Sequence, residues 1–291
     1  MKTIVAKAVR YWLTFGISCA VLASSIFAEE QEGNQRRVTH ERMTFVNFSD
    51  KPVDLYWVDR GVPNGSRALA HVVEPFESYI AKTYSGHEFA YDWEGVSYAT
   101  IVAGTTAFDA ETSEYDPYTI PAQIHVLGKV DAKKVICGTT KGDIHITVKP
   151  SWSPLGAARF LQLLTQQYRY FDGCALNRVV PRFLTQFGIG ADFEQRTALR
   201  QANIDDDPVH QPTIPFQPGY MSYAGSGPDS RSTEVFVVMP NTPRHQLEYF
   251  GTNPWETPFG YVDRTDLHDV VGRWKSYGDM EPVSTFSGGT S

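Results

Sequence analysis

From residue 43 to 108 the chain alternates apolar and polar positions with the period of a strand, in short bursts separated by turn residues. Thr44-Phe45-Val46-Asn47-Phe48 alternates, Ser49-Asp50-Lys51-Pro52 supplies a turn, and Val53-Asp54-Leu55-Tyr56-Trp57-Val58 alternates again. Further runs of this kind fall at 79–84, 88–93 and 98–103. No window in this stretch has the helical period, so it predicts a small all-β sandwich. Residues 109–131 are acidic and proline-containing, with Tyr115-Asp116-Pro117-Tyr118 and Ile120-Pro121, and read as a linker holding one short strand at 124–127.

A second domain is expected over 132–275. Lys134-Val135-Ile136-Cys137-Gly138-Thr139 and Gly142-Asp143-Ile144-His145-Ile146-Thr147-Val148 have the pattern of a hairpin. Ser153-Pro154 opens a helix over 155–168, with Ala158, Phe160, Leu161 and Leu164 on one face. The run Leu176-Asn177-Arg178-Val179-Val180-Pro181-Arg182-Phe183-Leu184-Thr185-Gln186 then alternates like a half-buried strand. A loop-rich stretch extends to 217, strands follow at 219–224 and 234–238, and 276–291 reads as a disordered tail.

Composition changes this picture in three places. The 42% hydrophobic content is enough for a sizeable core, and the formal net charge of -7 argues against nucleic acid as a partner. Residues 1–28 have the layout of a secretory signal peptide: basic Lys2, Lys7 and Arg10, an apolar run over 11–27, then small Ala28 before Glu29-Glu30. The expected location is the secretory pathway or outside the cell, with membrane contact only in the minority case of an uncleaved anchor. Cys19 belongs to this leader, so an oxidising compartment leaves Cys137 and Cys174 as either one disulfide or two separate buried thiols. Asn47-Phe48-Ser49 and Asn64-Gly65-Ser66 are N-glycosylation sequons, the second in the more accessible setting.

Other chemistries find no motif. There is no His-Glu-x-x-His, Cys-x-x-Cys or clustered His/Asp set, so no metal or other cofactor is expected. Gly188-Ile189-Gly190 lacks the third glycine of a dinucleotide loop, and Ser222 lacks the flanking glycines of a nucleophile elbow. Asp205-Asp206-Asp207 reads as an acidic loop before it reads as a calcium site.

The run from Leu176 to Gln186 resembles the F-H-R-V-I-x-x-F-M-x-Q core of the cyclophilins. Other family motifs follow in the family's order. Gly219-Tyr220-Met221-Ser222-Tyr223-Ala224 is similar to G-x-x-S-M-A, Thr233-Glu234-Val235-Phe236-Val237 to S-Q-F-F-I, and Phe259-Gly260-Tyr261-Val262 to F-G-x-V. The resemblance covers about 132–274. It implies a β-barrel with flanking helices after the N-terminal β-sandwich, a mainly β chain, and peptidyl-prolyl cis-trans isomerase activity on X-Pro bonds. By position it implies Arg178 as the catalytic arginine and Phe183 and Leu184 as pocket walls. It further makes Gln186 a backbone-positioning group and Phe236 the pocket floor, with Gly225, Glu234 and Phe259 at further pocket positions. Taken without the resemblance, Arg178 is a strand arginine in a surface ion pair and the phenylalanines are ordinary core.

The departures are specific. Asn177 stands for the histidine before the arginine, Gly225 for an asparagine and Glu234 for a glutamine, and Glu256 falls near a usual histidine. They lower the turnover expected and open an alternative function, a non-catalytic protein that binds proline peptides.

In the first domain, Phe45-Val46-Asn47-Phe48-Ser49, Leu55-Tyr56-Trp57-Val58-Asp59 and Thr83-Tyr84-Ser85-Gly86-His87-Glu88-Phe89 resemble the von Hippel-Lindau β domain. The resemblance implies proline or hydroxyproline recognition by Trp57, Thr83 and His87. The residues by themselves suit better a core tryptophan and a strand-end histidine. The partners expected are proline-containing peptides or proteins, including hydroxyproline-containing segments.

Overall fold

The computed structural model describes residues 40–61, 65–103, 123–128, 131–207, 213–276 and 278–279. The leader, the sequon at Asn64, most of the linker and the end of the tail lie outside the described residues. Among the described residues no helix is long and apolar enough to cross a membrane.

The N-terminal part holds β1 (His40–Asn47), β2 (Val53–Asp59), β3 (Ser66–Val73), β4 (Ser78–Tyr84), β5 (Glu88–Trp93), β6 (Val96–Val102) and β7 (Gln123–Leu127). They form two sheets, ordered β4-β1-β7 and β3-β2-β5-β6, in which β7 runs parallel to β1. Alternation puts one face of each sheet inward. Met43, Phe45, Ala81 and Leu127 from the first sheet share a buried cluster with Val53, Leu55, Val73 and Phe89 from the second. The strand β3 carries no such alternation in its sequence. It lies at a sheet edge with its first five residues exposed, so little burial shapes its sequence. Asn47 is fully buried and its amide donates to the carbonyls of Lys51 and Val73 at 2.8 and 2.9 Å, so the first sequon is closed to a glycan.

The second part adds β8 (Lys133–Thr139), β9 (Gly142–Val148), α1 (Pro154–Leu164), β10 (Ala175–Val180), β11 (Leu184–Ile189), α2 (Phe193–Gln201), β12 (Tyr220–Tyr223), β13 (Val235–Val238), α3 (Arg244–Leu247), β14 (Gly260–Val262), α4 (Arg264–Asp269) and β15 (Gly278–Asp279). One eight-stranded sheet, ordered β15-β10-β11-β13-β12-β14-β9-β8, curls into a half-barrel against α1. Ile144, Ile146, Phe160, Met221, Tyr223, Val235 and Val237 fill its interior. Val46 and Phe48, from the end of β1 and just beyond, sit in the same cluster, and Arg42 pairs with Asp205 at 2.7 Å. The described residues form one compact unit, with the N-terminal sandwich keeping a core cluster of its own beside that of the half-barrel. Gly188 has a φ of +119° and a Cβ there would meet the Thr233 carbonyl oxygen, so only glycine allows β11 this close to β13.

Further elements depart from the sequence expectation. The run 176–186, expected as one strand, is two, β10 and β11, because Pro181, Arg182 and Phe183 make a tight turn between them. The helix α1 stops at Leu164 because Thr165 turns extended and its hydroxyl donates back to the Gln162 carbonyl at 2.7 Å. The helix α2 was expected to be loop. It buries only Leu199 and has no apolar stripe, but Asp192 caps it by accepting from the Gln195 N–H at 2.7 Å. Gly278 and Asp279, expected in the tail, form β15 against Val179 and Arg178.

Candidate functional site

Strand alternation creates the site. On β10, β11, β13 and β12 the residues Val179, Thr185, Val235, Val237, Met221 and Tyr223 point inward and are fully or nearly fully buried. Their neighbours form a row on the opposite face of the sheet: Arg178 is the cross-strand partner of Gln186, Gln186 of Phe236, and Phe236 of Ser222. The tight turn before β11, closed by the Phe183 N–H to the Val180 carbonyl at 3.2 Å, requires Arg182 at a φ of +58°. That turn brings Phe183 back beside the row, where the Arg178 guanidinium lies 5.5 Å over its ring.

The expected residues Arg178, Phe183, Leu184, Gln186, Glu234 and Phe236 are therefore brought together. Their environment is more closed than the sequence suggests. Phe250 stacks on Phe183 and on Phe236, with ring centroids 5.2 Å away in each case, and Phe216 lies 6.1 Å from Phe236. Phe236 keeps only 2% of its surface exposed and Leu184 5%. Phe216 carried no signal in the sequence. Phe250 was legible only as an aromatic near the end of the motif series, because the loop that carries it has no period.

The polar groups are also committed. The Gln186 amide donates to Glu234 at 2.8 Å, and Arg200 holds the other Glu234 oxygen at 2.5 Å. Glu256 accepts from the Gly251 N–H at 3.1 Å and braces the loop carrying Phe250; burial raises its carboxyl above the usual range. Gly225 has Trp255 against it, so that a Cβ there would lie 2.6 Å from the indole. No side chain at 225 can reach a ligand in this arrangement.

Phe259 does not belong to this face. It is fully buried in the half-barrel interior, 5.0 Å from Phe160 and 5.2 Å from Tyr223 by ring centroids. The pocket role expected for it is corrected to a core role, since Phe259 and Val262 are buried in the interior cluster while Tyr261 is only partly buried.

In the N-terminal part, Trp57, Thr83 and His87 do come together. The rings of Trp57 and His87 are 5.8 Å apart, edge to face, and Thr83 Oγ1 lies 2.8 Å from His87 Nδ1. That bond leaves Nε2 as the ring's other hydrogen-bonding atom. Trp57 Nε1 is buried without a hydrogen-bond partner among the described residues.

Cys137 and Cys174 are both free thiols and line one cavity of about 530 Å³, together with Phe160, Phe171 and Phe187. Burial pushes the Cys137 thiol up to about 11 and raises Cys174 as well. At pH 8 roughly one Cys137 in a thousand is then thiolate, the reactive form. We expect iodoacetamide to label Cys137 slowly at pH 8 in the folded chain and rapidly in urea, as read by mass spectrometry. Equal labelling rates in the two states would contradict the burial.

The three Asp residues at 205–207 are each held by an arginine: Asp205 by Arg42, Asp206 by Arg231 at 3.5 Å and Asp207 by Arg231 at 2.8 Å. Their arrangement is an ion-pair brace.

Residues 134–284 match the family described as cyclophilin type peptidyl-prolyl cis-trans isomerase/CLD. The peptidyl-prolyl isomerase cwc27 of Rhizopus delemar is 27% identical over 150 residues, which cover 50% of this chain and 28% of that protein. The peptidylprolyl isomerase cyp7 of Schizosaccharomyces pombe is 28% identical over 141 residues, 47% of this chain and 28% of that one. The match thus spans less than a third of either relative. A crystal structure of a cyclophilin type peptidyl-prolyl cis-trans isomerase from Cryptosporidium parvum aligns with a TM-score of 0.37 and 19% identity, covering 53% of this chain and 91% of that one.

Proposed function

Because the chain belongs, through residues 134–284, to the cyclophilin type peptidyl-prolyl cis-trans isomerase family, we propose that it catalyses rotation about X-Pro bonds with Arg178 as the principal donor. The observation that carries this reading is the row of Arg178, Gln186 and Phe236 across three strands, with Arg178 over Phe183. The barrier to be lowered is about 18–20 kcal/mol, from conjugation of the amide nitrogen with the carbonyl. Twisting the bond frees the nitrogen lone pair, and a guanidinium N–H aimed at it stabilises the twisted state more than either planar one. The apolar side chains hold the proline ring, while Gln186, fixed by Glu234, orients the backbone. The chemistry asks for no proton transfer and no covalent intermediate. The test is exchange spectroscopy of a proline peptide with the full chain, in which cis–trans exchange should accelerate.

A second reading, a non-catalytic grip on proline peptides, is favoured by Gln186 being committed to Glu234 and by Gly225 having no side chain, which leave fewer polar contacts for turnover over the Phe236 floor. A proline ring reaches that floor only when Phe250 swings away, so affinity and turnover are both reduced by the fraction of time it is open. Peptide binding without accelerated exchange would select this reading.

For the N-terminal part we propose a proline site at Trp57, Thr83 and His87, with preference for the hydroxylated ring. The edge-to-face pair of Trp57 and His87 supports it, with His87 Nε2 left to meet a hydroxyl. Polar groups left unpaired against a bare ring cost about 1–3 kcal/mol. Hydroxyproline peptides should therefore bind about tenfold tighter than matched proline peptides by calorimetry, and His87→Ala should remove the difference. Equal affinities in the parent would reduce these residues to a packing role.

A further inference from the structure

The sheet face that holds Arg178 and Phe236 continues beyond them. Two strands on, across β12 to β14, it opens into a cleft of about 760 Å³. Three aromatic side chains build it. Tyr220 and Tyr261 are cross-strand partners with rings 6.3 Å apart, and Trp152 lies 5.1 Å from the first and 6.0 Å from the second. Lys149, Arg264 and His268 line the same cleft, with the Lys149 ammonium 6.0 Å over the Trp152 ring. Among the described residues no carboxylate lines it, and Asp266, on the same helix as Arg264, is taken by His145 at 2.8 Å. On a chain of formal net charge -7 this is a local reversal of sign. The cleft adjoins the row above, with the Phe216 ring between them, 6.1 Å from Phe236 and 6.4 Å from Tyr220.

We propose that this cleft is a second substrate site, taking an acidic segment of the same polypeptide whose X-Pro bond lies against Arg178 and Phe236. The inference rests on the isomerase reading for the position of the proline. Adjacent strands are about 4.8 Å apart, so β14 lies roughly 10 Å from β13 along the sheet. An extended residue covers about 3.3 Å, which places the acidic residues about three to five positions from the proline. The tilted rings of Trp152, Tyr220 and Tyr261 supply an aromatic floor for the segment, and the cations select its charge. Each exposed ion pair is weak, so two or three together should discriminate about tenfold, and salt should screen the difference.

Calorimetry on the full chain with three peptides tests this. They share a length and a proline, and carry a Glu, Gln or Lys pair four positions from it. At low salt the Glu peptide should bind about tenfold tighter than the Gln peptide and the Lys peptide weakest. High salt should collapse the order, as should joint Lys149→Glu and Arg264→Glu substitution, with the Gln peptide bound as by the parent. Thermal unfolding of that variant checks its fold, and Lys149→Gln with Arg264→Gln is the milder form. Equal affinities of the Glu and Gln peptides at low salt overturn the proposal. The isomerase reading fails separately: if exchange is not accelerated for any peptide, yet the Glu preference persists and is lost on charge reversal, the cleft stands without it. Accelerated exchange with no Glu preference removes the cleft alone.

Discussion

Arg178→Ala should lower kcat/KM for X-Pro isomerisation by about a hundredfold or more, the effect of losing one transition-state donor worth about 2.7–4 kcal/mol. The loss should fall on the catalysed step more than on peptide binding, because the guanidinium acts on a nitrogen lone pair that exists only in the twisted bond. Its contact with the Phe183 ring, worth about 0.5–1 kcal/mol at a partly exposed site, lies within the protein and holds the guanidinium in place rather than adding to peptide affinity. Arg178→Lys keeps the charge but not the planar fork of donors, so it should rescue little. Exchange spectroscopy with matched peptide titrations separates the two parameters. An alanine variant as active as the parent would exclude Arg178 as the donor, even with the row intact.

The largest expected effect on stability lies away from that row. Asp207→Ala should destabilise the fold by about 3–5 kcal/mol, since it strands a buried cation. Arg231 is fully buried and Asp207 is 3% exposed. The Asp207 carboxylate accepts from the Leu155 and Gly156 N–H groups at 2.7 and 3.1 Å, from the Ser153 hydroxyl, and from Arg231 at 2.8 Å. It thus supplies the acceptor that Ser153 does not offer at the start of α1, where negative charge is favoured. Arg231 also donates to the Asp205 carbonyl and lies 5.8 Å from the Tyr223 ring centroid. Asp207→Asn keeps an acceptor for the helix but not the charge, so it should fall between parent and alanine. Joint replacement by Asp207→Leu and Arg231→Met should cost less than Asp207→Ala, because the only charge left behind, Asp206, is partly exposed rather than fully buried. Urea denaturation measures all three. A loss below about 1 kcal/mol for Asp207→Ala, the range of exposed pairs, would show that water reaches Arg231.

That brace illustrates what residue patterns conceal. Asp207 lies 52 residues from Leu155 and 24 from Arg231, and nothing in its Asp-Asp-Asp context marks it as a helix cap. Most strands of the half-barrel were legible because burial on one side of a pleat imposes a period of two, though β13 is buried at every position and β15 carries no pattern at all. The β8–β9 hairpin follows from that rule, and so does the inward set that leaves Arg178, Gln186 and Phe236 outward, whereas the turn that splits the run 176–186 into β10 and β11 does not. The strand β3 and the helix α2 were not legible, since one is an exposed edge and the other buries a single side chain.

The site divides in the same way. The sequence by itself determined the chemistry available: an arginine five residues ahead of a phenylalanine on an alternating strand, with a glutamine three residues further on. Only the tertiary structure decided access. Phe216 and Phe250 arrive from loops distant in the chain to cover Phe236, Trp255 takes the space beside Gly225, and Phe259 turns into the core. The same assembly sets Lys149 and Arg264 about one cleft although they stand far apart in the chain. The physical reason is range: period and turn chemistry are properties of neighbours along the chain, whereas burial, pocket closure and the sum of charges depend on residues that only folding brings together.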